Sequence, residues 1–224
     1  SMDAKQQGCD ALKKGAVGVD SKGGARWIQL NTILTKKCKL KIDRDVKTVP
    51  LSSNVGTAMA AGQITFGILH LDDIPAIEKK SGKKVHVFER VETIAPDIHQ
   101  ISLIALKSTI DKRRDTIVKV VAAFRDAANM INDPANLDKV SGMVGMTKRS
   151  PEEAKAVIPQ LVAITFWPKG TPGLDKKRVE GAIANQVRVG KISKGRSGIN
   201  PAKTPVTYDG AVDLSIWEAA QKLK

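Results

Sequence analysis

Hydrophobic and polar positions follow two alternating periods through the first hundred residues. Residues 15–19 (GAVGV) are a short run of glycine and β-branched side chains, broken by Asp20-Ser21-Lys22-Gly23-Gly24. From 25 to 37 the apolar residues Trp27, Leu30, Ile33 and Leu34 recur three and four apart, so the order is strand, glycine-rich turn, amphipathic helix. The plan then repeats. Residues 46–51 read as a strand, Ser52-Ser53-Asn54 supplies N-cap residues, and 55–61 form a short helix stopped at Gly62. Residues 64–69 (ITFGIL) are apolar throughout and suit the middle of a parallel sheet. A third helix over 73–80 stops at Gly82, 85–88 resume as strand, and a loop with Pro96 leads to a fifth strand at 101–106. Strands alternating with helices predict an α/β lobe over 11–106, its five-stranded sheet mixed but mostly parallel and wound with right-handed crossovers.

Beyond 106 only the helical period remains, so 107–224 are expected to form a helical C-terminal part that completes or packs on another lobe. Ile117, Val121, Phe124, Ala128 and Ile131 make one apolar stripe, stopped by Asn132-Asp133-Pro134; Leu137, Val140 and Val144 start the next. Ser150-Pro151-Glu152-Glu153 is a capping box with proline at the first helical position, opening a helix that carries Val157 and Leu161. Helices are also expected over 175–189 and 209–223. Between them 191–205 is a basic loop with glycine and proline and no period.

Composition narrows the classes. A chain of 224 residues with 42% hydrophobic content buries one or two cores, and no apolar run approaches the roughly 18 residues of a spanning helix. Ser1-Met2 reads as an expression remnant, with any export signal left out. The net charge of +14 raises nucleic acid as a partner, but cations occur in nearly every segment, aromatics are only 4%, and no zinc-finger or RNA-binding pattern occurs. No nucleic-acid partner is expected. Three histidines without an HExxH pair give no metal site, and no cofactor is expected. Cys9 and Cys38 are too few for a disulfide scaffold. If the helix after the first strand returns antiparallel to Lys37, however, Cys38 comes back beside Cys9. A bridge is then geometrically allowed, and it would fit an oxidising compartment.

Four segments carry a likeness to a known family. Leu12-Lys13-Lys14-Gly15-Ala16-Val17-Gly18-Val19 looks like an "LKGKxVGV" segment, with Gly23-Gly24 in the ligand-facing turn after it. Ala58-Met59-Ala60-Ala61-Gly62-Gln63-Ile64-Thr65 looks like "ALxxGQVDA", with Thr65 in place of the usual acid. The helix from Phe124 to Asn132 and on to Asp133-Pro134 is similar to "FLRAxxxAxxWxxxxP", and the stretch from Pro205 to Ala220 resembles the family's terminal helix. In this order they resemble the periplasmic substrate-binding proteins of ABC-type importers, in the branch that binds nitrate, sulfonates, taurine and thiamine-pyrimidine precursors. The resemblance implies a type II periplasmic-binding fold, export to the periplasm or cell exterior, a small-molecule ligand and a membrane permease as partner. Members carry an N-terminal segment before "LKGK" that supplies most of the first lobe's sheet, and only about a dozen residues precede it here. The resemblance thus implies an incomplete cleft and leaves self-association through the incomplete lobe open. His70-Leu71-Asp72 stands where members often have Trp-Glu-Pro.

The candidate ligand-binding residues are Ser21, Lys22, Gly23, Gly24, Ser52, Ser53, Asn54, His70 and Asp72. Free backbone N–H groups at a helix start suit an anion, and glycine lets it approach; an ordinary strand-to-helix turn is the plainer account of Ser21 to Gly24. Capping explains at least one of Ser52, Ser53 and Asn54. His70 and Asp72 follow the third strand, where ligands of α/β sheets gather, and no nucleophile with a base partner adjoins them, so no catalytic residue is assigned. Trp167 reads as core, while Met130, Met143 and Met146 fit apolar stripes. The expectation is a non-catalytic solute-binding component; the alternative is an enzyme of the same fold related to pyrimidine-precursor synthases.

Overall fold

The computed structural model describes residues 1–96, 99, 101–143 and 149–223. A short helix, α1 (Cys9–Lys14), leads into strand β1 (Ala16–Val19), and the alternation of that strand organises its surroundings. Val17 and Val19 join Leu12, Leu30, Leu34, Val46 and Phe66 in one buried cluster. Gly18 faces the other way, where an added Cβ would lie 2.5 Å from Ile64 and 3.0 Å from Val55. Helix α2 (Ala25–Ile33) therefore covers one face of β1, and α3 (Val55–Ala60) covers the opposite face. Strands β2 (Lys47–Pro50) and β3 (Phe66–Gly67) flank β1 in the order β2-β1-β3, both parallel to it, with Val19 opposite Pro50 and Gly18 opposite Gly67. Gly67 repeats the close approach: a Cβ there would meet Met59 Sδ at 2.6 Å and Val55 at 2.7 Å. Helix α4 (Asp73–Ser81) adds Ile77 to the Val55–Met59 cluster and ends at Gly82, whose φ of 67° is the left-handed stop of a helix. The short α5 (Val91–Ile94) completes the first of two compact units, Ser1–Pro96 and Asp97–Lys224.

The predicted five-stranded mixed sheet is thus a three-stranded parallel one among the described residues. Residues 85–88 are tied elsewhere: His86 exchanges two backbone hydrogen bonds of 2.8 Å with Ser1, and Val85 N–H donates to Glu78. Residues 101–106 fall in the second unit without strand structure, with Ile101, Leu103, Ile104 and Leu106 between 57% and 93% exposed. No burial there offsets the entropy of ordering a strand.

After Ile33 the chain winds on as a π-helical turn, Leu34–Cys38, closed by Lys39 in the left-handed region. This turn delivers Cys38 to the start of α1, and Cys9 and Cys38 are bonded with their α-carbons 5.4 Å apart.

The second unit is helical: α6 (Lys107–Lys112), α7 (Arg114–Asn132), α8 (Leu137–Gly142), α9 (Pro151–Ala163), α10 (Lys176–Arg188), α11 (Lys194–Ser197), α12 (Tyr208–Ala211) and α13 (Ser215–Gln221). The capping box stands as predicted, Ser150 accepting from Glu153 N–H and Glu153 from Ser150 N–H. Helix α7 serves two clusters, packing Val118 and Ala122 against Ile216 and Ala220 of α13, and Met130 and Ile131 against Val140, Ala154 and Ile158. Trp167 joins that second cluster, in line with its reading as core. The Arg125 guanidinium donates to the carbonyls of Ala220 at 2.6 Å and Leu223 at 3.2 Å, holding the end of α13, where the helix dipole favours a cation.

Three helical expectations change. The helix over 209–223 is two helices, α12 and α13, because the Asp213 carboxylate accepts from Ser215 N–H and Oγ–H and restarts the chain there. Phe124, placed on the apolar stripe, is 57% exposed together with Val120 one turn away, since the clusters cover α7 towards its two ends. Met143 is exposed as well, whereas Val144 and Met146 lie outside the described residues. Among the described residues no helix is long and apolar enough to cross a membrane.

Candidate ligand site

Parallel strands send their following turns to one edge, and three bonds measure how closely the turns meet there. The β1–β2 ladder continues past Pro50: Leu51 N–H donates to Val19 O and Ser52 N–H to Asp20 O, each at 2.8 Å. Ile68 N–H donates to Gly18 O at 3.1 Å on the other side. Arg26, in the first turn of α2, then spans from β1 to β3, donating to Ile68 O at 3.1 Å and to Asp73 Oδ2 at 3.3 Å. The turns holding Ser21 to Gly24, Ser52 to Asn54 and His70 to Asp72 therefore leave the same sheet edge.

Two of the α2 amides, those of Arg26 and Trp27, are not free, which corrects the expectation that they await an anion. Asp20, four residues before the N-cap Gly24, turns its carboxylate onto them, accepting from Ser21 N–H at 2.8 Å, Arg26 N–H at 3.3 Å and Trp27 N–H at 3.4 Å. Gly24 is required by this carboxylate: a Cβ would stand 2.5 Å from both Asp20 oxygens and from Ser21 Oγ. Its backbone (φ −76°) suits any residue, so the constraint is space and not conformation. Sequence reading missed Asp20. The available signal was an Asp closing the strand ahead of a helix whose own N-cap is glycine.

Lys22 is engaged too. Its ammonium lies 3.3 Å from Asp43 Oδ2, and Asp43 also accepts from Trp27 Nε1–H at 3.3 Å and Thr48 Oγ1–H at 2.6 Å. Burial is the strongest single influence on the Asp43 carboxyl and pushes its pKa up, but the hydrogen bonds from Thr48, Lys22 and Trp27 together outweigh it and hold the group below the ordinary carboxylate range.

Ser52, Ser53 and Asn54 form a single 3-10 turn ahead of α3, with Ser52 at φ 52°. None of their side chains caps the helix, contrary to the capping expectation, and all three are exposed at the edge. His70 is exposed as well; its N–H donates to Asp73 Oδ2 at 3.0 Å, and its carbonyl accepts from Asp73 N–H at 3.1 Å, so Asp73 fixes the third turn. Asp72 is the N-cap residue of α4 and makes no side-chain capping bond. Among the described residues no group of three or more His, Cys, Asp and Glu is placed to hold a metal ion.

Helices on both faces of a parallel sheet, with the strand order reversing at β1, make this unit an α/β lobe whose three turns share one edge. The profile of the NMT1/THI5-like family matches residues 21–136, just over half of the chain, and the chain belongs to that family. The family includes solute-binding proteins of ABC importers and thiamine-pyrimidine-synthase-like members. No curated protein and no solved structure matches the chain.

Proposed function

We propose that this chain is the solute-binding component of an ABC importer, exported to the periplasm or cell exterior, and that it passes a small ligand to a membrane permease without transforming it. The observation that carries this reading is the convergence of three turns at the switch point of the sheet, each with exposed hydrogen-bonding side chains. Because Asp20 already holds the Arg26 and Trp27 amides of α2, recognition falls to the Ser21, Ser52 and Ser53 hydroxyls, the Asn54 amide and the His70 imidazole, with Lys22 shared with Asp43 and Gly23 and Gly24 shaping the turn. These groups suit a polar or anionic molecule such as a sulfonate, nitrate, aromatic acid or pyrimidine; Asp72 would accept from an amine on it. The Cys9–Cys38 bond supports export, since such bonds persist in oxidising compartments, and it leaves neither thiol as a nucleophile for the synthase-like alternative.

A thermal-shift screen over these ligand classes tests the reading. A ligand at 100 times its dissociation constant adds about 2.7 kcal/mol to stability. One class is expected to raise the melting temperature, and the Ser53→Ala/Asn54→Ala double variant to abolish that rise while melting normally without ligand. A rise that persists in the variant would remove this edge from the site; no rise with any class would count against ligand capture.

The exposed apolar residues Ile101, Leu103, Ile104, Leu106, Val120 and Phe124 further support self-association of the chain. Sedimentation velocity across a hundred-fold concentration range is expected to show a concentration-dependent species larger than the monomer. A single monomeric boundary throughout excludes it.

A further inference from the structure

The positive charge of this chain is concentrated, although cations occur in nearly every segment. From Lys176 to Lys203 there are eight Lys and Arg against one acid, Glu180, so half of the net charge of +14 falls in one eighth of the sequence. The fold gathers the C-terminal end of this stretch into a compact knuckle. Lys191 and Ile192 N–H groups both donate to Gln186 O, folding the chain back over the end of α10, and Ser193 O accepts from Ser197 N–H and Oγ–H to hold the single turn of α11. Asn200 O then accepts from Lys203 and Thr204 N–H. Among the described residues no carboxylate lies within ion-pair distance of Lys191, Lys194, Arg196 or Lys203, and the last three are exposed. The dipole of α10 accounts for cations at its last turn, such as Arg188, but it fades within a turn and does not reach Lys194, Arg196 or Lys203.

What stands among these cations selects the partner. No aromatic residue lies between Trp167 and Tyr208, so the knuckle offers no face on which nucleobases could stack. Aliphatic side chains are interleaved with the charges, and Val187 and Ile199 are exposed at 36% and 37%. Cations that reach phosphate together with aliphatics that reach the acyl boundary are the combination an anionic bilayer surface binds. We propose that residues 187–203 form a docking surface for anionic phospholipid, holding this protein at the membrane face independently of any solute.

Co-sedimentation of the full chain with vesicles tests this. Binding to phosphatidylglycerol/phosphatidylcholine vesicles is expected at low salt, to weaken steeply towards 0.5 M salt, where the screening length falls to about 4 Å, and to be absent with phosphatidylcholine alone. Each Lys or Arg near an anionic surface adds about five-fold to partitioning, so the variant Lys191→Gln/Lys194→Gln/Arg196→Gln/Lys203→Gln is expected to lose at least about a hundred-fold. Its circular dichroism should match the parent's, since these side chains hold nothing in the fold. Equal binding to phosphatidylcholine, undiminished binding by the four-fold variant, or binding to single-stranded RNA with none to anionic vesicles would each overturn the proposal. The solute screen is independent of this outcome, because the binding edge lies on other residues.

Discussion

Asp73→Ala is expected to lower folding stability by about 2–4 kcal/mol, because it leaves the Arg26 guanidinium buried without its carboxylate. The Arg26 side chain is only 11% exposed and that of Asp73 16%, so solvent does little to replace the lost partner. The same carboxylate fixes His70, and its removal also frees the turn after β3. Replacing both residues, Arg26→Leu with Asp73→Ala, should recover part of the loss, since the double change removes the stranded charge. Urea unfolding of the two singles and the double closes the cycle. A cost under about 1 kcal/mol for Asp73→Ala would mean that Arg26 turns out to water and that the pair does not tie the turns together.

Removing the Cys9–Cys38 bond is expected to cost a similar amount, about 3–4 kcal/mol, from the freedom regained by an unfolded chain whose cross-link spans 29 residues. Cys9→Ser/Cys38→Ser should unfold at correspondingly lower urea than the oxidised parent, and reductant should bring the parent to the variant's midpoint. Coincident midpoints of oxidised parent and variant would show that α1 is held by packing of Leu12 and not by the bond.

The doubly wound core was legible because its signals are local. The GAVGV run, the ITFGIL run and the three-and-four spacing of Trp27, Leu30 and Leu34 each report a buried face without reference to the rest of the chain. The false strands show the limit of that argument. Residues 85–88 and 101–106 have strand composition, but composition states that a segment can pair, not that an edge is available to it; the first is bonded to Ser1 and the second stays exposed. The edge that gathers the three turns followed from parallel topology alone. Its internal bonding did not follow, because Arg26 looks like a surface residue of an amphipathic helix until Asp73, forty-seven positions on, is placed beside it. Asp20 was overlooked for a related reason: capping is sought at the residue before the helix, and here a carboxylate four residues earlier performs it across a turn that only a glycine leaves open.

The order β2-β1-β3 has a consequence for a chain that emerges from its N-terminus. The central strand is made first and its two neighbours last, so β1 must wait with both edges unpaired until residues 47–50 and then 66–67 follow. Cys38 emerges before either neighbour. The Cys9–Cys38 bond can therefore be closed while the sheet still consists of one strand, fastening α1, β1 and α2 into one covalent loop. The remaining strands would then add to a segment already closed by the cross-link, a consequence for the order of assembly as well as for the finished fold.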